Sequence, residues 1–103
     1  MSEDTGYSFR IFVTGDTTRS FHAVANLHRL CDARLAGHYE LEVVNVGERP
    51  ELAEQEQVLA TPTVVRQHPL PRRRVIGDLS DPTQAALALG LPDAENPAPE
   101  GER

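Results

Sequence analysis

Apolar and polar side chains alternate through residues 7–15, YSFRIFVTG, with Phe9, Ile11 and Val13 on one side and Arg10, Phe12 and Thr14 on the other. A period of two, rich in aromatic and β-branched residues, predicts a strand. The period then changes. DTTRS offers Asp16, Thr17 and Thr18 as helix N-caps. From there to Ala36 apolar residues recur at Phe21, Val24, Leu27, Cys31 and Leu35, in steps of three and four. That spacing is one face of an amphipathic helix, and Gly37 ends it. HYELEVVNVG, residues 38–47, returns to alternation with Tyr39, Leu41 and Val43 on one face. Strand, long helix and strand in this order predict a right-handed βαβ unit with parallel strands.

The second half is more punctuated. Pro50 suits a first helical turn, and Glu51, Glu54 and Glu56 suit the N-terminal part of a solvated helix. TPTVVRQ, residues 61–67, reads as a strand entered through a proline, and Arg74–Ile76 as a short strand after a rigid PLP connection. A last helix begins with Asp81 as N-cap, Pro82 at the first position and Gln84 at the third, and stops at Gly90. The order is βαβ-αββα in one α/β domain, the order of a thioredoxin-like fold. Ala60-Thr61-Pro62-Thr63 ahead of a strand fits, because that fold commonly carries a cis proline there, whereas most X-Pro bonds are trans. The domain is expected over residues 7–91, with disorder at 1–6 and in the Pro- and Glu-rich stretch 92–103.

Composition narrows the function. The formal net charge is -6, and four acids with one arginine fall in residues 92–103. All 10 basic residues are arginines, so lysine Schiff-base and P-loop chemistry are excluded. No apolar run approaches the roughly 20 residues that span a bilayer, and MSEDTGYSFR lacks the blocks of a signal peptide. The expected location is the cytoplasm, with no membrane partner.

Candidate chemistry is sparse. A thioredoxin-like redox site needs a low-pKa cysteine in the turn between the first strand and first helix, usually as C-x-x-C. Gly15-Asp16-Thr17-Thr18-Arg19-Ser20 occupies that turn. Cys31, the single cysteine, cannot pair internally or run a dithiol cycle, and a buried, inert thiol is expected. The alternative from another class is a degenerate redox protein that uses Cys31 alone; thiol reactivity separates the two. His28 and Cys31 stand three apart on a helix, but no second ligand pair follows, so no metal is expected. Ser20 and Ser80 lack a nucleophile elbow or triad context. Neither an enzyme nor a cofactor is expected.

Arg66, Arg72, Arg73 and Arg74 place four cations within nine residues without an acid. Three consecutive arginines on a strand cannot share a face. The acidic whole and the lack of nearby aromatics speak against nucleic acid. Protection of a sheet edge by charge, and docking to an acidic protein surface, remain, and the two are compatible. The acidic stretch Glu48 to Glu56 opposes this patch in sign and favours oriented association with a partner or another copy.

Several stretches together resemble the KaiB family, small bacterial proteins known from the cyanobacterial clock. These are Pro50-Glu51-Leu52-Ala53-Glu54, LATPT at 59–63, the prolines around Leu70, and IGDLSD at 76–81, with FRIFVTGDTTRS and GHYELEVVNV upstream. The likeness runs from about Tyr7 to Leu91. It implies a non-enzymatic regulator that binds a KaiC-like hexameric ATPase of the RecA class and alters its phosphorylation cycle. It further implies KaiA-like or SasA-like signalling partners, and a second, metamorphic ground fold of the C-terminal half that assembles into dimers or tetramers. On that reading Gly15, Asp16, Thr17, Arg19, Arg72, Arg73 and Arg74 bind the partner. Thr61, Pro62, Pro69, Pro71, Gly77 and Asp78 form the segment that sets the balance between folds. A detached sensor domain like that of the SasA kinase is a further alternative. Phe12 stands where the family often has tyrosine, and Asp16-Thr17-Thr18 where it often has Asn-Thr-Pro.

Overall fold

The computed structural model describes residues 6–93. Its elements are β1 (Tyr7–Val13), α1 (Thr18–Leu35), β2 (Tyr39–Asn45), α2 (Pro50–Gln55), β3 (Thr63–His68), β4 (Arg73–Ile76) and α3 (Pro82–Leu89). This is the expected βαβ-αββα order. The strands form one sheet in the order β2-β1-β3-β4, with β1 parallel to β2 and antiparallel to β3, and β3 antiparallel to β4. β1 and β3 are thus interior strands, and β2 and β4 are the edges. The regions expected to be disordered lie almost wholly outside the described residues.

One face of the sheet carries the main core. Phe9, Ile11 and Val13 of β1 and Val64 of β3 pack against Ala23, Leu27, Leu30, Cys31 and Leu35 of α1 and Ala85, Ala86 and Leu89 of α3. Thr17 caps α1, its side chain accepting from the Ser20 backbone N–H at 3.1 Å, so the middle of the three candidate caps is used. Asp81 caps α3 by accepting from Thr83 and Gln84. The opposite face carries a smaller cluster of Phe12, Val44 and Val65, against which Leu52 and Ala53 of α2 and Val58 pack. Sheets with helices on both faces bury both side-chain sets of an interior strand.

Two expectations change for this reason. Phe21 does not join the core but is 63% exposed, and the buried face of α1 begins instead with the small residues Ser20 and Ala23, which let the helix approach closely. On β2, Tyr39 and Leu41 pack on the main core, whereas Val43 is exposed and Val44 is buried on the other face. β2 is an edge strand, so each of its faces is covered over only part of its length.

A third correction concerns Arg66, expected in a basic surface patch. It lies on β3 between Phe9 of β1 and Arg73 of β4, and is 4% exposed. Its Nη1 donates to the carbonyls of Leu89 at 2.9 Å and Gly90 at 3.3 Å, and its Nη2 to that of Pro71 at 2.7 Å. The guanidinium lies 5.9 Å from the centre of the Tyr7 ring. Nε finds no acceptor among the described residues. α3 has no basic residue in its last turn, so Arg66 supplies the cation that the C-terminal dipole and its free carbonyls favour. Gly90 fits this contact twice over. It takes φ 67, and a Cβ there would stand 2.8 Å from Arg66 Nη1.

Arg66→Met is therefore expected to cost about 2–4 kcal/mol in urea unfolding, because three carbonyls lose a charged donor in a buried setting. Amide exchange should accelerate in α3 before it does in β1 and α1; a uniform change would contradict the assignment.

Candidate partner-binding surface

The residues singled out from sequence fall at two ends of one sheet. At the first end, β1 runs into the turn Gly15–Thr17, where Gly15 takes φ 54 and Asp16, Thr17 and Arg19 are exposed. Thr14 and Thr61 join their hydroxyls at 2.6 Å, tying this turn to the loop before β3. The Thr61–Pro62 bond is cis, as are His68–Pro69 and Leu70–Pro71. Gly77 N–H donates to the Pro62 carbonyl at 2.9 Å, which brings the end of β4 to the same place. Asp78 follows, its carbonyl accepting from Asn26 Nδ2 at 2.8 Å on α1. Gly15, Asp16, Thr17, Thr61, Pro62, Gly77 and Asp78 thus share one region.

Pro69, Pro71, Arg72 and Arg73 lie at the other end of β4, with Arg74 between. The alternation predicted for the arginines is present. Arg72 and Arg74 reach the α2 face, while Arg73 pairs in register with Arg66 towards the α3 face. Their surroundings differ from the expectation of a free basic patch. Glu56, expected on a solvated helix face, follows the C-terminus of α2 and is buried. Its carboxylate accepts from Arg72 and from Gln67 Nε2 at 3.0 Å, and lies 3.8 Å from Arg10 Nη1. Its carbonyl accepts from Arg74, and Gln57, at φ 56, offers its own carbonyl to the same guanidinium at 3.2 Å. Arg10 also pairs with Glu42, its register partner on β2, at 2.9 Å. Glu56 therefore anchors the arginine segment to the turn after α2. Nothing in the spacing of the acidic run marks Glu56 apart from Glu51 or Glu54.

Beside Arg74 opens an apolar groove of about 750 Å³ lined by Val46, Pro50, Ala53, Val58 and Leu59, the last 94% exposed. Sequence reasoning passed over this groove because its lining comes from three separate segments.

Cys31 sits in the middle of α1, fully buried in the main core, away from the turn where a redox thiol would stand. Burial, with a smaller contribution from the Asp32 carboxylate, pushes its pKa up from 9.0 to about 12. His28 is exposed on the helix, so the two do not face a common site. His28 Nδ1 lies 3.1 Å from the Tyr39 hydroxyl, which donates to Asp32 at 2.7 Å; with that proton engaged, Nδ1 is the donor. Burial, then the Asp32 bond, raises the Tyr39 pKa to about 12. Among the described residues no group of three His, Cys, Asp or Glu could hold a metal ion, and no helix is long and apolar enough to cross a membrane.

The architecture and the cysteine-free turn define a thioredoxin-like domain whose first turn carries no thiol. Comparison with known proteins agrees. The N-terminal domain of Synechococcus elongatus SasA superposes with a TM-score of 0.71 at 26% identity, covering 87% of this chain and 89% of that one. Mitochondrial thioredoxin 3 of Saccharomyces cerevisiae superposes at 0.66 with 19% identity, over 84% and 80%. The family model for the KaiB domain matches residues 10–91. The circadian clock oscillator protein KaiB of Synechococcus elongatus is 40% identical over 91 residues, 88% of this chain and 89% of its own. The circadian clock protein KaiB3 of Synechocystis sp. is 39% identical over 82 residues, 80% of each chain. This chain belongs to the KaiB family.

Three outcomes follow from this geometry. Cys31 should react with a thiol reagent at neutral pH only slowly while folded, and at a free-thiol rate in urea; fast labelling of the native chain would revive a single-thiol redox role. The unfolded thiol titrates near 9.0 and the folded one near 12, so the native state keeps its proton longer. That contribution to stability is complete below pH 9 and is lost as pH rises from about 9 to 12; Cys31→Ala should flatten this part of the stability profile. Separately, Glu56→Gln should destabilise the fold by about 1–3 kcal/mol, because Arg72 and Arg10 lose a partly buried anion. A change below about 0.5 kcal/mol, within the range of ordinary surface substitutions, would remove Glu56 from its anchoring role.

Proposed function

We propose that this chain is a regulatory binding protein without chemistry of its own. It docks on a KaiC-like ATPase of the RecA class and modulates its phosphorylation cycle, in a circadian clock or a related timing or stress pathway in the cytoplasm. The observation that carries the reading is the pairing of KaiB-family membership with a first turn, Gly15–Ser20, that presents Asp16, Thr17 and Arg19 in place of a thiol, while Cys31 is sealed in the core. The binding surface comprises Gly15, Asp16, Thr17 and Arg19, with α1 behind them, together with Arg72, Arg73 and Arg74. Likeness to the SasA N-terminal domain supports a further reading, that SasA-like and KaiA-like proteins compete for or join the same complex.

The segment holding Thr61, Pro62, Pro69, Pro71, Gly77 and Asp78 sets the balance between this fold and an oligomeric ground form. Gly77, at φ 123, takes a backbone conformation that a side chain would strain, although a Cβ there would meet no neighbour. Gly77→Ala should shift that balance, seen as a change in NMR spectrum and in oligomer size; unchanged spectra and size would sink the assignment.

The primary test is size-exclusion chromatography of the chain with the KaiC-type ATPase of its own organism, in ATP and in ADP. Co-elution that develops slowly and depends on nucleotide is expected. Asp16→Arg combined with Arg19→Glu should weaken the complex about tenfold. Absence of a complex with the cognate ATPase after a day would overturn the reading.

A further inference from the structure

The outer side of β4 is unpaired among the described residues, since β4 bonds only to β3. Which backbone groups it offers follows from the ladder. Gly77 N–H bonds to the Pro62 carbonyl, and the register continues through Thr63 opposite Ile76, Val64 opposite Val75 and Val65 opposite Arg74. Hydrogen-bonded and non-hydrogen-bonded pairs alternate along an antiparallel ladder. Arg73 and Val75 therefore turn their N–H and C=O towards β3, and Arg74 and Ile76 turn theirs outward.

The side chains along this edge differ in character from one end to the other. Arg72, Arg73 and Arg74 are exposed at the start; the Glu56 carboxylate meets Arg72 alone of the three and is shared with Arg10, while Arg73 lies on the other face. Arg72 keeps 49% of its side chain exposed with only one of its nitrogens engaged on that carboxylate. At the far end Ile76 is exposed on the α2 face, the face on which the groove beside Arg74 carries Val58 and Leu59. Beyond Ile76 stand Asp78 and Asp81, which would repel a carboxylate.

We infer that the outer edge of β4 accepts an extended segment of a partner protein as a fifth strand. The segment carries carboxylates opposite Arg72–Arg74 and an apolar side chain opposite Ile76. Main-chain bonds to Arg74 and Ile76 supply the pairing, and side chains on alternate faces supply the selection. The same arginines that keep neutral or basic strands away from an open edge admit one that neutralises them. This extends the binding role proposed above to a defined strand and ligand chemistry. Its test needs no ATPase, so the two readings fail separately.

The probe is a short fluorescein-labelled peptide with glutamates through one half and valines through the other, so that one register sets carboxylates against Arg72–Arg74 and an apolar side chain against Ile76; it is titrated with the full chain and followed by anisotropy. Saturable binding that weakens with added salt is expected. Ile76→Pro removes an outward N–H and leaves the bonds to β3 in place, and should weaken binding about tenfold. Arg73→Glu should weaken it by about as much. Circular dichroism and a masked Cys31 thiol establish that each variant keeps its fold. If Ile76→Pro unfolds, amide shifts in the native chain decide: movement of Arg74 and Ile76 on peptide addition supports the edge. Shifts confined elsewhere, no binding, equal binding of an arginine–valine peptide, or unchanged affinity in Arg73→Glu would each overturn it. So would sedimentation showing that copies of the chain pair through this edge and exclude the peptide.

Discussion

The guanidinium of Arg66 is where β3, the connection before β4 and the end of α3 are fastened to one another, on the side of the sheet that the β1–β3 ladder joins to the N-terminal βαβ unit. It rises from an interior strand, lies over Tyr7 of β1, and donates to the end of α3 and to the Pro71 carbonyl before β4. A cation removed from water in this way is stable only if its donors are met and negative charge or dipole lies opposite. The free carbonyls at the end of α3 take Nη1 and that of Pro71 takes Nη2, leaving only Nε without an acceptor among the described residues, and α3 in return gains the cation its own last turn lacks. Gly90, the only residue type with neither a steric penalty at that φ nor a Cβ against Arg66, completes the contact. Helix α3 packs with Val75 and Leu79 in the main core, so this bond set fixes the end of the helix that closes that core.

On the opposite face a second charge centre does related work at lower burial. Glu56 gathers Arg10, Gln67 and Arg72 with its carboxylate and Arg74 with its carbonyl, linking β1, β3 and β4 to the turn after α2. The arginine segment is thus held in place by groups of its own chain. The opposite end of the sheet is organised differently, by the Thr14–Thr61 hydroxyl contact and the Gly77 bond to Pro62. That end carries hydroxyls and carboxylates but no thiol, since Cys31 is enclosed in the main core.

Much of the site was legible as residue type and little of it as surroundings. Asp16, Thr17 and Arg19 could be placed on an exposed turn because a helix cap and a strand end bracket them. The alternation of Arg72, Arg73 and Arg74 followed from strand geometry. Arg66 was misplaced for a physical reason: its exposure depends on whether β3 is an interior or an edge strand, and strand order is not written in local periodicity. Glu56 was missed because an acid after a helix looks like any solvated acid until two arginines from other elements converge on it. The misjudged faces of Phe21 and Val43 have the same origin, since apolar spacing names the turns of a helix or the sides of a strand but not how far a neighbour covers them.

By itself the sequence determined the element order, the caps Asp81 and Gly90, the parallel βαβ unit and the absence of a thiol from the first turn, while it left Asp16, Thr17 and Thr18 open as the first helix's cap. All of these depend on residues within a few positions of one another, or on a handed connection with one favoured solution. The tertiary structure alone decided the sheet order β2-β1-β3-β4, the burial of Arg66 and the convergence on Glu56. Those features join residues far apart in the chain, and their energies depend on desolvation and on geometry between elements that exist only after the sheet has closed around its core.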